Sequence, residues 1–231
     1  MIVILVIFCG ILLFSVLTRK YRNKYKMYLV FGKKGSGKST FLIKQGIKYK
    51  KRGYNVYTNM VECCVDGFRL IDINDLGEFV PEENSILLVD EVGMIWDNRN
   101  FKNFKTSVRD FFKLQRHYKV VCFLASQTYD VDKKLRDLVD GMYLCCGLAN
   151  VFSVAKRIAR KVVLTESVGD QESRISENLK FTPFFTWVYT YIPRYAKCYD
   201  SFVVPQKPKL TYITLKSDLK DIVATTPPQA M

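Results

Sequence analysis

A chain of 231 residues that is 48% hydrophobic and 25% charged can build one domain with a full core, and is short for two. The composition excludes disorder over the bulk of the chain, and it excludes a polytopic membrane protein. Lys and Arg number 36 against 22 Asp and Glu, a formal net charge of +14, and the excess is local: 13 cations precede the first acid, Glu62, after which 23 cations face 22 anions. Such clustering points to chemistry in the first quarter of the chain rather than to a basic surface spread over the molecule. The seven cysteines contain no C-x-x-C, and His117 is the single histidine. Zinc-finger spacing is therefore absent, and free buried thiols in a reducing compartment are expected.

Residues 1–18, MIVILVIFCGILLFSVLT, carry no charged side chain. As a helix they reach about 27 Å, close to the ~30 Å of a hydrocarbon core. The basic segment 19–26, RKYRNKYK, holds five cations with Tyr21 and Tyr25 among them, a pattern for the cytoplasmic headgroup region. The expectation is a single-pass anchor, N-out, with the rest of the chain cytoplasmic at an inner membrane. A cleaved signal peptide lacks its positive n-region and its A-x-A-like site here. A buried core helix would show a polar face.

A short apolar strand, Met27 to Phe31, leads into GKKGSGKST, that is Gly32, Lys33, Lys34, Gly35, Ser36, Gly37, Lys38, Ser39 and Thr40. The run fits G-x-x-x-x-G-K-[ST] at each fixed position. Glycines let the backbone curl so that N–H groups converge on one phosphate, and a following helix adds its positive end. Lys38 is placed to reach the β- and γ-phosphates of ATP, and Ser39 to put its hydroxyl on Mg²⁺. The helix runs from Ser39 to Arg52, closes on Lys50, Lys51 and Arg52, and stops at Gly53.

Residues 85–91, SILLVDE, read as a strand buried on both faces with two carboxylates at its end, where ligands of open α/β sheets bind. This is a Walker B pattern. Asp90 is expected to hold Mg²⁺ through water, and Glu91 to polarise the attacking water. Further strands are expected over 54–58, beside the first strand, over 120–125, and over 142–146. Helical stripes run through Phe104, Val108, Phe111, Phe112 and Gln115, and through Val131, Leu135, Leu138 and Val139 with Asp130 as N-cap. The alternation implies an α/β P-loop fold: a mostly parallel sheet with helices on both faces. Gln127, after the 120–125 strand, is either a sensor of the γ-phosphate or an ordinary loop amide. Arg116 and Arg136 are the better arginine-finger candidates beside Arg99 and Arg109, and a finger acting in trans requires an oligomer. His117 reads as a helix end.

The order GKKGSGKST, VYTN, ILLVDEVGMIWDNR, KLQRHYKVVCFLASQ and VDKKLRDLVD resembles the zonula occludens toxin (Zot) domain. That domain is the ATPase core of filamentous-phage assembly proteins, in the FtsK/HerA-like class. Thr58-Asn59, Arg116-His117 and Leu135-Arg136 look like pieces of the family pattern. The likeness spans residues 27–146 and extends weakly to Tyr199-Asp200-Ser201. It implies an ATP-hydrolysing homo-oligomer, as a ring at the inner membrane, working on phage or mobile-element DNA with assembly proteins. In the family the membrane span follows the ATPase; here it precedes it. That order also suits a genome-packaging ATPase of a membrane-containing virus, a mobile-element DNA translocase, or a nucleotide-gated membrane scaffold with little turnover.

The expected organisation is thus an anchor (1–18), a basic juxtamembrane segment (19–26), an ATPase core (27–148), a β-rich extension of that core (149–204) and a proline-containing tail (205–231). The extension is expected to contain two to four strands over 162–166, 181–192 and 195–204, with 169–178 as a polar connection. Phe184, Trp187, Tyr189 and Tyr191 are either a base-stacking platform or its packed face. A short strand over 210–215 interrupts the tail.

Overall fold

In a computed structural model of the chain, residues 2–96, 105–129, 131, 133–149, 151–165 and 174–199 are described. All fall within one compact unit, Met1–Ser201. Arg99, Phe104, Asp130, Asp200, Ser201, the 210–215 strand and the whole tail lie outside the described residues.

The unit is built on a nine-stranded sheet. In chain order its strands are β1 (Met27–Phe31), β2 (Asn55–Thr58), β3 (Phe68–Leu70), β4 (Ser85–Val89), β5 (Val120–Ser126), β6 (Gly141–Leu148), β7 (Phe152–Thr165), β8 (Arg174–Phe181) and β9 (Val188–Tyr191). The spatial order is β3-β2-β4-β5-β1-β6-β7-β8, with β9 also on β7. Pairings from β3 to β6 are parallel, and those of β7 with β6, β8 and β9 are antiparallel. The helices are α1 (Ile2–Leu17), α2 (Lys38–Lys50), α3 (Val92–Ile95), α4 (Thr106–Leu114) and α5 (Lys133–Leu138).

Strand residues alternate between two cores, as a sheet buried on both faces requires. Leu29, Leu87, Val89, Cys122 and Leu124 meet Val108, Phe111 and Phe112 of α4 and Leu135 of α5. Val30, Ile86, Leu88, Val121 and Phe123 meet Phe41, Leu42 and Ile43 of α2 on the other face. Each such side chain taken fully from water contributes about 1.5–3 kcal/mol. All seven cysteines are free thiols, with Cys122 and Cys145 buried.

The second strand does not lie beside the first, contrary to the sequence expectation. β2 pairs with β3 and β4, while β1 lies between β5 and β6. The reason is the width of α2, whose buried face covers β2, β4 and β5 together. The chain leaving α2 therefore emerges three strand positions from β1, and β4 and β5 fill the gap.

The extension also differs in detail. Residues Arg174–Phe181 form β8, so the second half of the expected polar connection is strand. The segment Ile192–Cys198 is a 3-10 helix with proline at its start, so the strand expected over 195–204 does not begin there. Trp187 is tied by its indole N–H to the Thr182 carbonyl at 2.9 Å, whereas Phe184, Tyr189 and Tyr191 are exposed.

At the amino terminus α1 is 16 residues, all uncharged. A helix of that length rises about 24 Å, and among the described residues no helix is long and apolar enough to cross a membrane. The α-helix tightens into a 3-10 turn at Thr18–Tyr21, where the Thr18 hydroxyl donates to the Phe14 carbonyl at 2.8 Å. Ile7, Phe8, Ile11, Leu13, Phe14, Val16 and Leu17 are all exposed.

Candidate nucleotide site

The parallel registers bring the motif residues to one edge of the sheet. Phe31 pairs with Ser126, so Gly32 and Gln127 leave adjacent strands at the same level. Thr58 pairs with Leu88, and Val89 with Leu124, which puts Asn59 and Asp90 on that edge too.

The loop after β1 is shaped by its glycines. Gly37 has φ +84°, a left-handed conformation that disfavours any side chain, and a Cβ there would lie 2.6 Å from the Cβ of Ser153. A Cβ on Gly32 would strike the Cys145 carbonyl oxygen. The Ser36 amide donates to the Lys33 carbonyl at 3.1 Å and closes the turn. No side chain caps the start of α2, so its leading N–H groups are left for an anion. The Ser36 hydroxyl is buried without a hydrogen-bond partner. An orphaned donor and an uncapped helix in one cradle fit a phosphate group.

Lys38 is buried, and its ammonium donates to the carbonyls of Gly32 at 3.0 Å and Lys33 at 3.2 Å, over the loop. Lys33, whose carbonyl serves this contact, and Lys34 are exposed residues. Ser39 donates its hydroxyl to Asp90 Oδ2 at 2.5 Å, a charge-assisted bond that joins the head of α2 to the end of β4. Asp90 is buried, and desolvation raises its carboxyl above the ordinary range. The Ser39 bond and the Glu91 amide oppose that shift, Glu91's charge adds to it, and Lys38 opposes it. Two hard oxygen donors held together suit Mg²⁺. Among the described residues no group of three or more His, Cys, Asp or Glu could hold a metal, so phosphate oxygens and water would supply the remaining ligands.

Glu91 has φ 55° and ψ 41°, a left-handed conformation costing a non-glycine residue about 1–2 kcal/mol. Its Oε1 accepts a bond from Gln127 Nε2 at 2.9 Å. The pair is exposed, next in the chain to the buried Asp90.

Two residues given no chemical role in the sequence reading belong to this edge. Asn59 clamps the Asp90 backbone, accepting from its amide at 2.7 Å and donating to its carbonyl at 3.0 Å. The T-N signature after β2 was a visible signal for it. Tyr199 reaches back through a bridge to Cys63, and its phenol lies in hydrogen-bond reach of Ser39. Burial raises its pKa first of all, the Ser39 bond opposes that, and Asp90, Glu62 and Glu91 raise it further. Only the short Tyr-Asp-Ser likeness hinted at this position.

The arginine candidates separate. Arg136 of α5 stacks over the Tyr129 ring at 4.6 Å and donates to the Tyr129 carbonyl, two residues past Gln127. Arg116 lies exposed in the turn before β5, whose first residue pairs with Ser85 at the start of β4. It therefore stands at the opposite edge of the sheet, because α4 runs antiparallel to the strand it precedes. His117 closes the end of α4 through its amide to the Leu114 carbonyl. Arg109 pairs with Asp110 at 3.3 Å.

A mostly parallel sheet with helices on both faces, a glycine-rich loop after β1 and an acidic pair after β4 make the fold that of a P-loop NTPase. Family comparison narrows this further. The model described as zonular occludens toxin (Zot) matches residues 26–182, and the chain belongs to that family. Among solved structures, the N-terminal domain of zonular occludens toxin from Neisseria meningitidis aligns with a TM-score of 0.50 and 16% identity, over 76% of this chain and 99% of that one. The DNA-packaging ATPase B204 from Sulfolobus turreted icosahedral virus aligns at 0.44 with 14% identity, over 67% of this chain and 98% of that one. No curated protein matches the chain.

Proposed function

We propose that this chain is an ATP hydrolase that works as a membrane-tethered motor in phage assembly, extrusion or DNA translocation. The observation that carries the reading is the Ser39–Asp90 bond at 2.5 Å with Glu91 and Gln127 bonded beside it. In this reading the loop amides and Lys38 bind the β- and γ-phosphates. Ser39 and Asp90 hold Mg²⁺, which neutralises charge on those phosphates when bound. Glu91 orients and polarises the water, and Gln127 couples its position to the γ-phosphate. Arg136 is engaged by Tyr129, and Arg116 stands on the far edge. An arginine reaching the γ-phosphate is thus expected from a neighbouring copy in a ring.

Tethering is supported by the apolar, outward-facing α1 and by the five cations of 19–26. A helix of this length spans a bilayer only with local thinning or with flanking Lys and Arg snorkelling to the interface. The expected orientation is N-out with the ATPase in the cytoplasm. Membership of the Zot family supports the phage or mobile-element setting. The test is ATP turnover by the full chain in vesicles, with and without single-stranded and duplex DNA. A motor is stimulated by one of them, and Lys38→Ala is silent in every arm. Turnover indifferent to both DNA forms would contradict the motor reading, and turnover retained by Lys38→Ala would contradict hydrolysis at this site.

A further inference from the structure

A cavity of about 580 Å³ lies between α2 and the segment Ile192–Cys198, apart from the nucleotide site. Lys44 and Lys48 line it from α2, Lys51 and Arg52 from the turn that closes the helix, and Arg194 from the facing segment, with no acidic residue in the lining. None of these five cations forms an ion pair among the described residues. Lys44, Lys48 and Lys51 recur on one helix face. Cations in a last turn answer the helix dipole, which accounts for Lys48 and Lys51. It accounts neither for Lys44, a turn deeper, nor for Arg194, which comes from another element. Lys44 is also fixed in place, donating to the Tyr189 carbonyl and to the Thr190 hydroxyl. Burial, and then Lys48 and Arg194, lower the proton affinity of Lys44; burial and then Arg52 do so for Lys48. Like charges are held together here at a cost that an anion in the cavity would relieve.

Position selects the anion. α2 leads away from the P-loop, so its Lys51–Arg52 end lies where the parallel strands begin. Arg52 sits over the Tyr49 ring at 5.7 Å, and Tyr49 packs edge-on against Tyr54 at 5.1 Å. Tyr25 packs against the same core and donates to Asn84 at 2.5 Å. Tyr25 belongs to the basic segment that joins the apolar α1 to β1. One end of the cavity and the entry point of the apolar helix therefore share an edge, opposite the Asp90 edge. We infer that the cavity takes the phosphate headgroup of an anionic phospholipid and so sets which face of the domain meets the bilayer. One headgroup fits a cavity of this volume, whereas a nucleic-acid backbone needs an extended groove. The inference rests on the membrane-tethered reading.

The test is flotation of the full chain on vesicles of phosphatidylcholine alone and of phosphatidylcholine with phosphatidylglycerol, with hydrogen exchange followed over 44–52 and 192–198. Flotation on neutral lipid reports the tether, and exchange reports the cavity. Phosphatidylglycerol is expected to slow exchange in both segments of the wild type. Lys48→Glu with Arg194→Glu floats equally well but loses that slowing, and Lys48→Gln with Arg194→Gln guards against misfolding. Occupancy should weaken about fivefold for each cation removed, the scale for one basic side chain at an anionic bilayer. The inference is overturned if phosphatidylglycerol changes nothing. It is also overturned if inorganic phosphate or a single-stranded oligonucleotide gives the same slowing on neutral vesicles. Failure to float on neutral lipid, with cavity-dependent slowing by phosphatidylglycerol intact, removes the tether and leaves the headgroup site standing.

Discussion

The hydroxyl of Ser153 in β7 donates to the carbonyl of Ser36 in the P-loop at 2.6 Å, in a buried setting. The β-rich extension thus forms one wall of the phosphate loop, and the glycine at position 37 leaves room for it. Ser153→Ala keeps the volume and loses one hydrogen bond, a cost of about 1 kcal/mol in urea unfolding. Ser153→Val pushes on the loop itself. It should cost about 1–3 kcal/mol and weaken binding of a fluorescent ATP analogue, which Ser153→Ala largely spares. Equal nucleotide affinity in the valine variant would show that β7 does not support the loop.

Asn59 holds Asp90 by two backbone bonds. Asn59→Ala leaves both backbone groups short of a partner, with an expected loss of about 1–3 kcal/mol. Turnover should fall more than stability accounts for, because Asp90 loses its fixed position. Asn59→Asp retains the acceptor but brings a second negative charge, and should be the worse of the two at neutral pH.

The raised carboxyl of Asp90 makes a signed prediction. A group whose folded pKa exceeds its unfolded value loses its stabilising contribution as pH rises through the folded value. Asp90→Asn removes that burden, so at neutral pH the variant should be more stable by about 0.5–2 kcal/mol, and hydrolysis should be lost. The stability gain should vanish at a pH below the unfolded carboxylate range. A destabilised Asp90→Asn at neutral pH would mean that the Ser39 bond outweighs burial.

Burial pushes the Cys145 thiol up to about 12, and raises that of Cys122 further. At about pH 8 neither has appreciable thiolate, so iodoacetamide should label exposed Cys64 and spare both until the chain unfolds. Labelling of Cys145 in the native protein would mean that β6 parts from the P-loop.

Much of the site was legible because its chemistry is local in sequence. The loop 32–40, and Asp90 and Glu91 after their strand, carry their positions in their spacing. Gln127 was placed by the apolar strand before it. What the sequence hid is long-range. Ser153 meets Ser36, and Tyr199 meets Ser39, through contacts that no local pattern encodes. The position of β2 depends on how far α2 carries the chain across the sheet, which periodicity does not report. Arg116 read as a finger because it precedes the Gln127 strand; the direction of that strand puts it at the wrong end within one chain.

The most direct test is Mg²⁺-dependent ATP turnover measured beside ATP affinity for the wild type and Glu91→Gln. A general base that orients water is worth about 10²–10⁴-fold in rate. Turnover by Glu91→Gln should fall within that range while ATP binds as tightly as to the wild type. Unchanged turnover in Glu91→Gln would contradict the assignment of this edge as the hydrolytic site.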